Sequence, residues 1–281
     1  NIIHGLGTTT GQAIVAHPGI KAISFTGGTQ TGAYIAKVAA PMFKKLSLEL
    51  GGKNPAIIFA DCDYDEMLQT TVRSSFANQG QICLCGSRIF VEASMYQKFK
   101  IDFIAAVSKL KVGNPFDTST DIGALVSRPH LEKVKMYIDN AAQYGGKVIF
   151  GGASVSVDNS EDGYYLEPTI IEVQDNSCTL NQEEIFGPVV TIMPFNDENE
   201  VVAMANDVSY GLSATLWTND LKRTMRVSKQ IQAGIVWVNT WLLRDLRTPF
   251  GGVKNSGVGR EGGFEALRFF TEPKNICIKY N

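Results

Sequence analysis

The chain has 281 residues, 44% of them hydrophobic and 19% charged, with Trp, Tyr and Phe all present. That is the chemistry of a packed globular protein of about two domains, and it excludes a disordered segment or a disulfide-stapled miniprotein. The formal net charge is −2; with no basic run to neutralise a series of phosphates and no apolar stretch near the roughly 20 residues of a membrane span, neither nucleic acid nor membrane is expected as a partner, and a soluble, cytoplasmic protein is.

The chain opens on Asn1 and an apolar run through Leu6, as though starting inside a fold. Residues 22–25 predict a buried strand, Thr26, Gly27 and Gly28 a turn, and 29–40 a helix by apolar spacing. A second strand over 46–50 stops at Gly51-Gly52, a third covers 55–60, and a helix runs over 64–77. Strands alternating with helices predict an α/β sheet.

The alternation continues with a strand at 88–92, helices at 95–110 and 128–144, and a strand at 147–150. Residues 151–166, rich in Gly, Ser, Asp and Asn, predict an exposed loop or hairpin. Beyond them come strands at 187–194, 214–217 and 234–239, with helices at 199–206 and 221–231 between. The alternating run at 275–280 has few local partners left and is suited to adding to another subunit's sheet edge.

Five cysteines, Cys62, Cys83, Cys85, Cys178 and Cys277, form an odd set whose spacing suits neither a disulfide framework nor zinc. Free thiols are expected, and no metal. Cys83 stands just past a helix end and a glycine, where a turn can present a thiol into a cleft. The competing reading is a buried, inert thiol. Cys85, two residues on, makes a C-x-C spacing that reads as neighbouring packing.

Glu49 closes an otherwise apolar strand. A carboxylate there tends towards a raised pKa, suited to a general base, unless it pairs with Lys44, Lys45 or Lys53 at the surface. Two glycine clusters, at 5–11 and 27–32, match neither G-x-G-x-x-G nor the P-loop. The second follows a strand and opens a helix, where free N–H groups favour an anion; ordinary turn glycines read equally well. Glu183-Glu184 reads locally as a solvated acidic pair and Phe186 as core.

Taken together, FTGGTQTG (25–32), LELGGK (48–53), GQIC (80–83), EIFGPV (184–189) and PFGG (249–252) resemble the aldehyde dehydrogenase superfamily, over nearly the whole chain but only as the C-terminal part of a family subunit. The resemblance implies a fold made of the remainder of a Rossmann-like dinucleotide-binding domain (1–51), an α/β catalytic domain (52–265) and a C-terminal oligomerisation strand or tail (266–281). It implies NAD as cofactor and a homodimer or homotetramer. Cys83 would be the nucleophile and Glu49 the base for thioester hydrolysis. Gly27, Gly28 and Gly32 would lie at the pyrophosphate, Leu50 near the carboxamide, Glu184 on the nicotinamide ribose and Phe186 against the nicotinamide ring. The family's oxyanion Asn would lie upstream of residue 1.

Residues 239–250 and 257–263 look most like those of the muconic semialdehyde dehydrogenases. The substrate implied is an acidic, unsaturated semialdehyde: the 2-amino compound first, with the 2-hydroxy compound or another small aldehyde as the alternative. Arg244, then Arg247, would hold its carboxylate, with Trp241 and Phe250 as an apolar wall; for each arginine a surface or subunit contact competes. A non-catalytic structural portion lacking half its cofactor site is the reading from another class.

Overall fold

The chain begins a three-stranded sheet before it builds a seven-stranded one and returns to the first near its end. The computed structural model describes residues 1–157, 160 and 162–281. Helix α1 (Gln12–Ala16), strand β1 (Ala22–Thr26), helix α2 (Thr29–Ala39) and strand β2 (Lys45–Glu49) come first. β1 and β2 pair in parallel with Thr26 opposite Glu49. The apolar faces of these elements close on a core of their own, formed by Val15, Ile23, Ile35, Ala39, Leu48 and Leu50.

After Gly51-Gly52 the chain builds the large sheet. Its elements are β3 (Asn54–Ile58), α3 (Tyr64–Phe76), β4 (Gly86–Glu92), α4 (Tyr96–Val107), α5 (Arg128–Asp139) and β5 (Gly146–Phe150), then the hairpin β6 (Ser154–Val155) and β7 (Tyr165–Leu166), and β8 (Thr169–Val173). There follow α6 (Thr179–Gln182), β9 (Val189–Phe195), α7 (Glu198–Asn206), β10 (Tyr210–Gly211), β11 (Ser213–Trp217), α8 (Leu221–Gln230) and β12 (Ile235–Val238). The short strands β13 (Val253–Lys254) and β14 (Gly257–Val258) and helix α9 (Gly263–Phe269) complete the set. The sheet order is β12-β11-β3-β4-β9-β8-β5. Every pairing in it is parallel except that of β5 with β8.

Continuous apolar runs in β3, β4 and β9 follow from helices covering both faces, since no side of such a strand meets water. Ile57, Phe90 and Phe195 face a core shared with α5, α7 and α8. Ile58, Ile89, Val91 and Ile192 face the other, against Met67, Phe99 and Phe103 of α3 and α4. The helices begin where side chains cap them: Asp63 accepts from the Glu66 N–H, and Ser127 from the His130 N–H at 3.3 Å.

The α/β architecture is as expected, with particular differences. Strand β8 was not anticipated: its short apolar run has no partner nearby in sequence and pairs with β9 and β5 instead. The helix expected to reach residue 144 stops at Asp139, and turns carry the chain on to Gly145, whose φ of 84° needs glycine. Of the hairpin expected over 151–166, positions 158, 159 and 161 lie outside the described residues. β14 crosses the division expected at residue 51, because Val258 and Gly257 return to pair with Leu48 and Glu49. Residues 271–281 form no strand within a single chain and are exposed; Lys45 tethers their start through the carbonyls of Phe269 and Thr271 and the Glu272 carboxylate. Among the described residues no helix is long and apolar enough to cross a membrane.

Candidate active site

The carboxyl ends of β1 and β2 face the loops that enter β3, β4 and β9. Between them lies a cavity of about 470 Å³ walled by Gly27, Gly28, Glu49, Leu50, Cys83, Glu184 and Phe186, with Gln81, His130 and Lys133. Crevices at the carboxyl ends of parallel strands are where ligands settle in open α/β sheets.

Cys83 gets there by an unusual backbone path. Beyond α3, Asn78, Gln79 and Gly80 have φ values of 49°, 57° and 70°, a left-handed stretch that swings the chain out of the helix. Gly80 is required twice over, since any Cβ would also strike the Gly187 carbonyl. The turn is held by Asn78, whose Nδ2 donates to the Gln81 carbonyl at 3.0 Å. Asn54 then fixes the loop: its Nδ2 donates to the carbonyls of Cys83 (2.7 Å) and Cys85 (2.8 Å), while its Oδ1 accepts from the Ser213 N–H. From the other side Trp241 Nε1 donates to the Leu84 carbonyl at 3.0 Å. Among the described residues the Cys83 N–H makes no main-chain hydrogen bond, which leaves a donor beside the sulfur.

Burial, and behind it the carboxylates of Glu184 and Glu49, push the Cys83 thiol up to about 11. The sulfur is therefore protonated at neutral pH unless a base removes its proton. Glu49 is 4% exposed, and neither carboxylate oxygen has a hydrogen-bond partner among the described residues. Burial, reinforced by the negative charge of Glu261, raises it to about 7, against the opposing pull of Arg260 and Arg244. An unpaired carboxylate that changes charge near neutrality is equipped to take a proton. Arg260 and Glu261 are brought to it by β14 and by the antiparallel bridge of Glu261 with Phe250.

Glu184 comes from the loop before β9. Its Oε1 accepts from the Gly52 N–H at 2.9 Å, and the bare Cα of Gly51 makes room for the carboxylate, where a Cβ would overlap it. Phe186 holds φ 62°, and His130 Nε2 lies 2.7 Å from its carbonyl oxygen. The acidic acceptor and the apolar walls of Leu50 and Phe186 suit a polyhydroxylated ring joined to a flat aromatic one. Gly27 and Gly28 stand where α2 begins and its first N–H groups are free.

Five expected residues are placed differently. Gly32 is not on the cavity wall; it is buried in α2, where a Cβ would run into the Leu50 side chain, so its part is close packing. Arg247 does not reach the site, because it is exposed and tied bidentately to Asp245. Trp241, 5% exposed, lies behind Leu84 rather than on the cavity surface. Arg244 and Phe250 are not on the cavity wall either: Arg244 stacks on Phe250 with its guanidinium carbon 3.9 Å from the ring centre, and both line a second cavity of about 180 Å³.

Sequence reasoning missed Asn54, His130, Lys133 and the two roles of Gly51-Gly52. Asn54 carried a signal, since a polar residue opening a buried apolar strand must find partners. His130 carried none.

A family model described as the aldehyde dehydrogenase family matches residues 1–276. The 2-aminomuconic semialdehyde dehydrogenase of Danio rerio is 52% identical over 100% of this chain and 58% of its own length. The 2-hydroxymuconic semialdehyde dehydrogenase of Pseudomonas sp. strain CF600 is 45% identical over 99% of this chain and 58% of its own. The chain thus spans little more than half the length of the curated relatives it matches. A crystal structure of Staphylococcus aureus betaine aldehyde dehydrogenase in complex with NAD+ superposes with a TM-score of 0.91 at 40% identity, covering 94% of this chain and 52% of that one.

Proposed function

The chain belongs to the aldehyde dehydrogenase family, and on that premise we propose that it carries the catalytic centre of an NAD-dependent enzyme oxidising 2-aminomuconate 6-semialdehyde to 2-aminomuconate. The observation that carries the reading is the convergence of Cys83, Glu49, Glu184 and Phe186, from three separate stretches, on one cavity.

Glu49 takes the proton of the Cys83 thiol, and the thiolate attacks the aldehyde carbon to give a thiohemiacetal. The Cys83 N–H donates to the oxyanion that forms. NAD, when bound, supplies the hydride acceptor. Glu184 would hold its ribose hydroxyls, Leu50 and Phe186 would flank its nicotinamide, and Gly27 and Gly28 would face its pyrophosphate. Loss of hydride leaves a thioester on Cys83. Glu49, once deprotonated again, draws a proton from water as that water attacks the thioester, releasing the acid and restoring the thiol.

Arg244 supports an acidic substrate, because a guanidinium held flat on Phe250 has its donors free for a carboxylate. The 45% identity to a 2-hydroxymuconic semialdehyde dehydrogenase favours the 2-hydroxy compound as the second reading. Homodimeric or homotetrameric assembly through residues 266–281 belongs to the same proposal, as does a cytoplasmic setting, which suits five free thiols. Measuring kcat/KM of the natural full-length protein on amino- and hydroxymuconic semialdehydes and on hexanal tests the reading. The amino compound should rank first; a preference for hexanal would contradict it.

A further inference from the structure

Arg73 and Arg244 reach one aromatic cluster from opposite parts of the chain. Arg73 sits on the exposed side of the last turn of α3, the helix that leads into the Cys83 loop. Its guanidinium carbon lies 5.6 Å from the centre of the Trp241 ring. Arg244 stands on Phe250, and Trp241 and Phe250 belong to the cluster with Leu84 against which Cys83 packs.

Stacking on an aromatic face fixes a guanidinium without neutralising it. The positions three and four residues from Arg73 along α3 are Gln69, Thr70, Phe76 and Ala77, none of them acidic. Among the described residues neither arginine forms an ion pair, although Arg223, Arg226, Arg247 and Arg268 all do. The Arg244 charge pulls against the burial that raises both Cys83 and Glu49, so it is felt at the site, and Arg73 stands over the Trp241 ring of the same cluster.

We propose that Arg73 is a specificity-determining residue: with Arg244 it forms a guanidinium pair flanking the approach to Cys83, which draws in and holds the carboxylate end of an acidic semialdehyde. This rests on the acidic-substrate reading above. Two separated cations suit an elongated substrate, one guanidinium engaging the carboxylate early and the other once the aldehyde is at the sulfur. Such exposed charges act chiefly on encounter and are weakened by salt.

The competing structural role is a cation at the C-terminus of α3, favourable to the helix dipole. The test is kcat/KM of the natural full-length protein and of its Arg73→Gln and Arg244→Gln variants, on 2-hydroxymuconic semialdehyde and on hexanal, at low and high salt, with thermal melts alongside. For Arg73→Gln the ratio of acidic to uncharged kcat/KM should fall about fivefold, through KM rather than kcat, and the fall should shrink at high salt. A lowered Tm with an unchanged ratio would overturn the proposal in favour of the helix-end role. A ratio that falls in Arg244→Gln but not in Arg73→Gln overturns the part of Arg73 and leaves the acidic-substrate reading standing. A natural protein that prefers hexanal removes that reading itself.

Discussion

Asn54 Nδ2 lies 2.7 Å from the main-chain oxygen of Cys83. The first residue of a buried strand thereby sets the position of the nucleophile, and the same amide reaches Cys85 and Ser213. Its three partners sit where β3, β4 and β11 come together.

Replacing Asn54 by Ala would leave two carbonyls and one N–H without partners, a loss of about 2 to 4 kcal/mol. The loop would also move, so kcat should fall by on the order of tenfold or more. Thermal melts and steady-state rates check both effects. Unchanged values for both would show that Asn54 positions nothing.

Glu49 gives a pH dependence of definite sign. With its carboxyl raised to about 7 by burial, it is protonated in mild acid and has no capacity to accept a proton. The rate of thioester hydrolysis should therefore rise through pH 7 and level off above it, and Glu49→Gln should abolish that limb. Single-turnover deacylation rates between pH 5 and 9 are the measurement; a profile flat across pH 7 in the unaltered protein would contradict the assignment.

Gly51→Ala addresses the cofactor side. A methyl there overlaps the Glu184 carboxylate, which must swing off the Gly52 N–H and out of its place in the cavity. The KM for NAD+ should rise about tenfold, by loss of a charged hydrogen bond, with melting temperature little altered. Calorimetric titration of NAD+ separates this from misfolding. Unaltered binding would mean that Glu184 does not contact the cofactor.

Much of this arrangement was legible before the fold was known. The β1 to α2 passage and the turn before Cys83 are local patterns, an apolar run followed by glycines and a glycine after a helix; Glu49 read locally as either a buried base or a surface ion pair, and it is buried. What escaped reading depends on pairs distant in sequence. Glu184 meets Gly52 because β3 and β9 flank β4 in the sheet, and His130 reaches Phe186 from α5; no local pattern encodes either. Arg247 shows the opposite failure, because Asp245 stood two residues away and already offered it a partner. The motifs gathered by resemblance placed Gly32 at the cofactor, whereas its close approach to Leu50 is a matter of packing.

The central claim is that Cys83 carries the acyl group and Glu49 releases it. Intact-mass and peptide-mass spectrometry of the Glu49→Gln variant, mixed with NAD+ and the semialdehyde at about pH 9, where more of the Cys83 thiol ionises without Glu49, and quenched in acid as the adduct builds up, tests it directly. A stoichiometric acyl adduct is expected on the peptide containing Cys83, absent from a Cys83→Ala control that still binds NAD+. Undiminished turnover by Glu49→Gln, or an adduct on another residue, would contradict it.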